Sequence, residues 1–276
     1  HYDFQKLHLF PAFSVSKEMK NNQSISLSYS RRINRPKEHD LKPYTDYSDT
    51  YAIAYGNPEL LPELTSLFEL TYQTFIKSAF VSFQMYRRST PNKIGQLILI
   101  DNDNIMHMTY SNDFNESLIG TETAVNVSVL KKWKVNCSVD LFYMDFEGTN
   151  PEYLFLFKDF SWNAKLMNSF TIAKNTSAQL SGMYFGKQQT SNGILNPFYR
   201  IDIAVEQKLL KKKMSISVSV KDILQSGNYF MHPDQPAHDI EFRIYNESPL
   251  VYFNISYNLN SYKKKIKNVK TDIDLH

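Results

Sequence analysis

Hydrophobic and polar positions alternate with period two almost from end to end. Over residues 23–34, Ile25, Leu27, Tyr29 and Ile33 take one parity, and Ser24, Ser26, Ser28, Ser30 and Arg32 take the other. That pattern predicts a strand with one apolar and one polar face. Similar alternation predicts strands from Phe13, over 64–75, from Val81 past Pro91 to 100, and up to Val129. It is cleanest at Trp133, Val135, Cys137, Val139, Leu141 and Tyr143, and continues over 160–172, 178–184, 199–206, 214–221 and a last strand ending at 251–259. The sum is about eleven strands and no convincing helix.

The connections are of two kinds. Turns at 20–22, 76–78, 131–132, 173–175 and 211–213 are short and mostly carry Lys, whereas 37–63, 99–104, 147–153, 188–197 and 225–238 are longer and hold Pro, Gly, Asp or Asn. Short turns at one end and long loops at the other predict an up-and-down antiparallel sheet with unlike ends. A soluble β-sandwich also alternates. Three features favour lipid: a polar parity made largely of Ser, Thr, Asn and Gln; aromatics near strand ends (Tyr29, Phe75, Trp133, Tyr143, Phe170, Tyr199, Phe253, Tyr257); and the turn–loop asymmetry.

Composition narrows the picture. Mean hydropathy is −0.42, and no apolar run approaches the ~18 residues of a transmembrane helix; a membrane barrel, with polar positions facing its lumen, fits both facts. Aromatics make up 14% of the chain, with 18 Tyr and 19 Phe. The single cysteine, Cys137, excludes an internal disulfide framework. A net charge of +3 does not point to nucleic acid. Residues 263–276 read as a solvated basic tail after a barrel unit over 1–262, and the start at His1 suggests a piece of a longer chain.

Three strings carry a resemblance: Leu27-Ser-Tyr-Ser-Arg-Arg-Ile-Asn-Arg-Pro36, Leu41-Lys-Pro-Tyr44 and Gly56-Asn-Pro-Glu-Leu-Leu-Pro-Glu63 before an aromatic strand. Together they resemble the outer-membrane β-barrel family of TonB-dependent receptors, and Val218-Ser-Val-Lys-Asp-Ile-Leu224 resembles that family's penultimate strand. The resemblance implies an all-β, antiparallel up-and-down transmembrane β-barrel segment in the bacterial outer membrane, with short periplasmic turns and long extracellular loops. It also implies partners: the lipid, an N-terminal plug and further strands not in this chain, the TonB complex, and a small nutrient such as a siderophore, glycan or peptide. The sequence departs from the family in running on to His276 rather than ending on an aromatic residue. A surface-binding or adhesion barrel without transport, and a soluble binding module, are the alternatives.

No catalytic motif, cofactor or metal set is expected. His232 and His238 are neighbours in a polar loop, which points to solvation before metal binding. On the polar parity Arg32, Glu69, Gln84, Glu122, Asn126, Asp140, Arg200, Asp202 and Glu206 are expected to face the lumen, touching plug or water. Tyr44, Tyr47, Tyr51 and Tyr55 are candidates for stacking on a ligand from an exterior loop, or else for packing on neighbouring loops.

Overall fold

The computed structural model describes residues 9–101, 103–150, 154–232 and 242–259. It opens with the hairpin β1 (Ala12–Met19) and β2 (Gln23–Asn34), turned by Asn21 and Asn22 at φ of 61° and 56°, a left-handed region that Asn tolerates better than most residues. The expected long loop after β2 is partly ordered. It holds a one-turn helix, α1 (Glu38–Leu41), and two short strands, β3 (Thr45–Asp46) and β4 (Ala52–Tyr55).

Long strands follow: β5 (Glu63–Ile76), β6 (Ala79–Ile100), β7 (Met106–Leu130), β8 (Trp133–Gly148), β9 (Phe155–Ala173) and β10 (Thr176–Phe185). Pro91 does not break β6, because the register shifts there between Thr90 and Gly95 and absorbs it as a bulge. Residues 188–197, expected as a plain loop, form the hairpin β11 (Gln188–Thr190) and β12 (Gly193–Leu195). After β13 (Phe198–Leu209) and β14 (Met214–Lys221), the next expected loop carries β15 (Tyr229–His232) and β16 (Phe242–Ile244) before β17 (Leu250–Tyr257). His238 and the basic tail lie outside the described residues.

The wall is one antiparallel path of eleven strands, β1-β2-β5-β6-β7-β8-β9-β10-β13-β14-β17, and its end strands do not pair with each other. Short turns join it at one end, as the sequence suggested. At the other end β4 adds in parallel beside β7, and β11-β12-β15-β16 form a separate four-stranded sheet from two different loops.

The two faces change character along the strands. Near the short turns the outer face is apolar (Leu27, Leu70, Met85, Leu141 and Leu166 are all exposed) and the inner face carries Ser28, Glu69, Gln84 and Asp140. Towards the long loops the order reverses. There Leu97, Phe114, Leu118, Phe142, Met144, Phe146 and Phe157 form a buried inner cluster, while Ser117, Asp145, Glu147 and Lys158 take the outer parity. The uniformly polar inner face expected from sequence therefore holds for only half of each long strand. Where water reaches both sides of a wall, that wall needs an apolar core of its own.

Candidate functional site

A cavity of about 700 Å³ opens on the inner face where polar and apolar halves meet. β5 to β9 form its wall, and β11 reaches back over it from beyond β10. Ile194 packs on the inner cluster and Asn192 Nδ2 donates to Gln96 Oε1 at 3.4 Å, which helps hold that cover in place. A Cβ on Gly95 would lie 2.4 Å from Phe114 and 2.6 Å from Ser191, so this close crossing of wall and cover needs glycine.

Four of the candidate inner residues meet here. Glu69 accepts hydrogen bonds from Ser28 Oγ (3.1 Å) and Gln84 Nε2 (2.5 Å). Glu122 and Asp140 stand directly opposite each other on β7 and β8, a like-charge pairing that costs stability, and Tyr86 donates to Asp140 at 2.9 Å. The remaining candidates lie elsewhere on the inner parity. Arg32 is exposed opposite Thr65, Asn126 faces Asn136 nearer the short turns, and Arg200 pairs with Asp202 at 3.1 Å on β13, with Glu206 further along that strand.

Sequence reasoning missed the charges that complete the cavity. Glu116, 8% exposed, pairs with Lys93 and with Arg88 (3.5 Å). Buried Gln189 also lines it, and its Oε1 accepts no hydrogen bond among the described residues. The signal was present, since Arg88, Glu116 and Gln84 share the inner parity of β6 and β7, but their closeness depends on register across a bulge. Carboxylates outnumber cations around the cavity, so it favours donors and positive charge.

The loop tyrosines do not act as one group. Tyr44, Tyr47 and Tyr51 are all exposed, and Tyr44 and Tyr55 line a smaller cleft of about 270 Å³. Tyr55 sits in β4 with its ring edge-on to His107 at 6.2 Å. The Gly56–Glu63 string clamps the loop to the wall. Gly56 N donates to Lys42 O (3.0 Å), Asn57 Nδ2 to Tyr110 O (3.0 Å), and Asn34 Nδ2 to Glu63 Oε2 (2.7 Å). A Cβ on Gly56 would meet the Lys42 carbonyl at 2.6 Å.

An open, singly layered wall with an uncovered apolar outer face and a half-polar inner one is the architecture of a barrel in lipid. Residues 1–257 match the model of the outer membrane protein β-barrel family, and the chain belongs to that family. It is a bacterial outer-membrane protein. Among solved structures it is similar to the siderophore receptor PirA from Pseudomonas aeruginosa (TM-score 0.57, 13% identity, 89% of this chain and 41% of that one). It is also similar to the copper transporter OprC (0.58, 11%, 89% and 38%) and to the iron transporter FrpB from Neisseria meningitidis (0.54, 14%, 91% and 39%). The chain thus spans about two fifths of each. No curated protein matches its sequence.

The register now locates the bilayer. From the short turns to the row Tyr29–Phe68–Arg87–Ile119–Tyr143–Phe160 the outer face is mostly apolar, and the next outward row reads Arg31–Ser66–Ser89–Ser117–Asp145–Lys158. The span is nine residues on β6 (79 through 87) and eleven on β8 (133 through 143), close to the ~9–11 that cross a hydrocarbon core. Beyond it β6 runs on to Ile100, roughly 40 Å of strand outside the membrane at about 3.4 Å per residue.

Proposed function

We propose that the chain is the C-terminal wall of a TonB-dependent outer-membrane receptor that imports a scarce small nutrient. The observation that supports it most is the family match over residues 1–257, on a wall shaped like receptors and transporters for siderophores, copper and iron. Backbone groups left unpaired in lipid cost several kcal/mol each, so the free edges of β1 and β17 call for further strands that close the barrel. The cavity under β11 and β12 then faces the lumen. Its carboxylates and the free acceptor of Gln189 meet donors from a plug domain or from the nutrient, and Arg32, Asn126, Arg200 and Asp202 hydrogen-bond a plug elsewhere. Tyr44 and Tyr55 meet the nutrient at the mouth, with energy for release supplied through the plug from the inner-membrane complex.

The test is uptake by cells carrying the full-length gene, under iron, copper, glycan or peptide limitation, with and without the energising complex. Gene-dependent accumulation that stops when the complex is deleted is the expected result. Binding at the surface with no accumulation, or a full-length gene with no plug-forming segment, would instead leave a surface-binding barrel.

A further inference from the structure

Charge in the inner cavity is divided unevenly. Both cations of its lining, Lys93 and Arg88, are engaged by Glu116. Glu69, Glu122 and Asp140 line the same cavity and form no ion pair among the described residues. Neutral donors serve two of them, Ser28 and Gln84 at Glu69 and Tyr86 at Asp140. Glu122 and Asp140 remain opposed as like charges across β7 and β8. Cβ atoms of directly opposite residues lie about 4.5–5.5 Å apart, so one guanidinium fork entering the cavity can reach both carboxylates. The cover gives an independent sign of a missing donor. Gln189 is 3% exposed, and its Nε2 donates to Thr190 O at 3.0 Å, which fixes the amide. Its Oε1 has no donor among the described residues, a costly state for a buried acceptor. β11 is also the terminal strand of its sheet, with β12 along one edge and no partner strand along the other. All three of its residues line the cavity.

These features separate the classes of nutrient. An anionic metal chelate or phosphate ester is repelled by three carboxylates whose neighbouring cations are already paired. A neutral sugar satisfies acceptors but leaves the repulsion between Glu122 and Asp140 in place. A basic peptide answers every feature, because an open strand edge presents N–H and C=O groups at the spacing of an extended chain. We propose that the cavity takes an extended peptide bearing an arginine side chain. The peptide backbone pairs with the open edge of β11, the guanidinium enters between Glu122 and Asp140, and a donor brought in beneath the cover meets Gln189 Oε1. The cavity's 700 Å³ falls within the ~300–1,000 Å³ of ligand pockets. This deepens the import reading and rests on it in one respect, that the cavity faces the lumen of a closed barrel.

The test titrates full-length protein in mild detergent with a blocked peptide, one arginine flanked by two alanines on each side, in a calorimeter. The arginine peptide is expected to bind about thirtyfold tighter than the same peptide with glutamine at that place, the worth of one charge-assisted contact. Methylating alternate backbone nitrogens of the arginine peptide is expected to weaken it about tenfold, through lost pairing with β11. Glu122→Gln with Asp140→Asn is expected to abolish the preference for arginine, and heat-modifiable migration on a gel reports whether that variant is folded. If it is not, the peptide series on wild-type protein decides alone. Equal binding of the arginine and glutamine peptides overturns the proposal, and a plug side chain already seated on the two carboxylates would give that result. A preference that survives in the folded double variant, or indifference to backbone methylation, overturns it as well. Arginine-selective binding by a protein that accumulates no nutrient in cells would sink import and leave the peptide site standing; import of another nutrient without that selectivity would do the reverse.

Discussion

Glu116 is the buried carboxylate of the inner cavity, and its two cations are unequally sheltered, with Lys93 31% and Arg88 47% exposed. Breaking a fully buried pair costs ~3–5 kcal/mol, but water at the cations softens the loss here. Glu116→Gln is expected to lower the barrel's stability by about 1–2 kcal/mol, read from urea titration of the full-length protein folded in vesicles; no change would mean that the pair is solvated in the lumen. Asp101, at the exposed tip between β6 and β7, behaves differently. Its Oδ2 meets His107 Nε2 at 3.0 Å, and its Oδ1 accepts from the N–H groups of Asp103 and Ile105 at 2.9 Å each. The bond to His107, then that to Ile105, hold its pKa below the ordinary aspartate value. A depressed carboxylate stabilises above its unfolded pKa of about 3.9 and loses that contribution as pH falls through the lower folded value. The protection factors of the Asp103 and Ile105 amides, observed rate against intrinsic rate, should therefore hold down to about pH 4 and fall below it. In Asp101→Ala, which removes the acceptor, protection of both amides should be low at every pH.

At the scale of elements, period-two alternation was enough to place the wall strands, because a strand in a single-layer wall has two unlike faces wherever it lies. It could not say which face is the apolar one, and the reversal between Asp140 and Phe142 on β8 keeps the alternation while exchanging the role of each side. Nor did any local signal announce that the two loops after β10 and β14 pair through Ile194 and His232, since that contact joins segments nearly forty residues apart. The glycine that permits the cover to close was likewise mute in sequence. Gly95→Ala forces the Phe114 ring or Ser191 to shift, and overpacking of this kind costs about 1–3 kcal/mol. The displaced element is the short hairpin rather than the long wall strands. Protease added to intact cells should then cut within 188–195 in the variant and spare the native protein, while folding of the barrel by gel migration stays unchanged.

For the molecule as a whole, the resemblance strings identified the family through residues that turn out to hold a loop on the rim, Gly56 and Asn57 above all. The inner charges were legible as a parity, but their gathering into one cavity depended on registers between strands. Those same registers fix how deep the wall sits, and that depth can be measured with the chain's single cysteine. Cys137 lies on the outer parity of β8 between Val135 and Val139, within the apolar belt. A membrane-impermeant maleimide should leave it unlabelled in intact membranes and label it once the protein is unfolded. In a Cys137→Ala background, cysteines at Phe83, Val127 and Leu141 should also be protected, and those at Ser89, Ser117 and Asp145 should react. The change must fall between the row ending at Phe160 and the row ending at Lys158 on β5 through β9 together, because hydrogen bonding locks neighbouring strands in register. Labelling that switches at different heights on adjacent strands would mean that the lipid boundary does not follow those rows. It would also remove the ground for reading the outer half of β6 to β9 as a wall in water built round its own aromatic core.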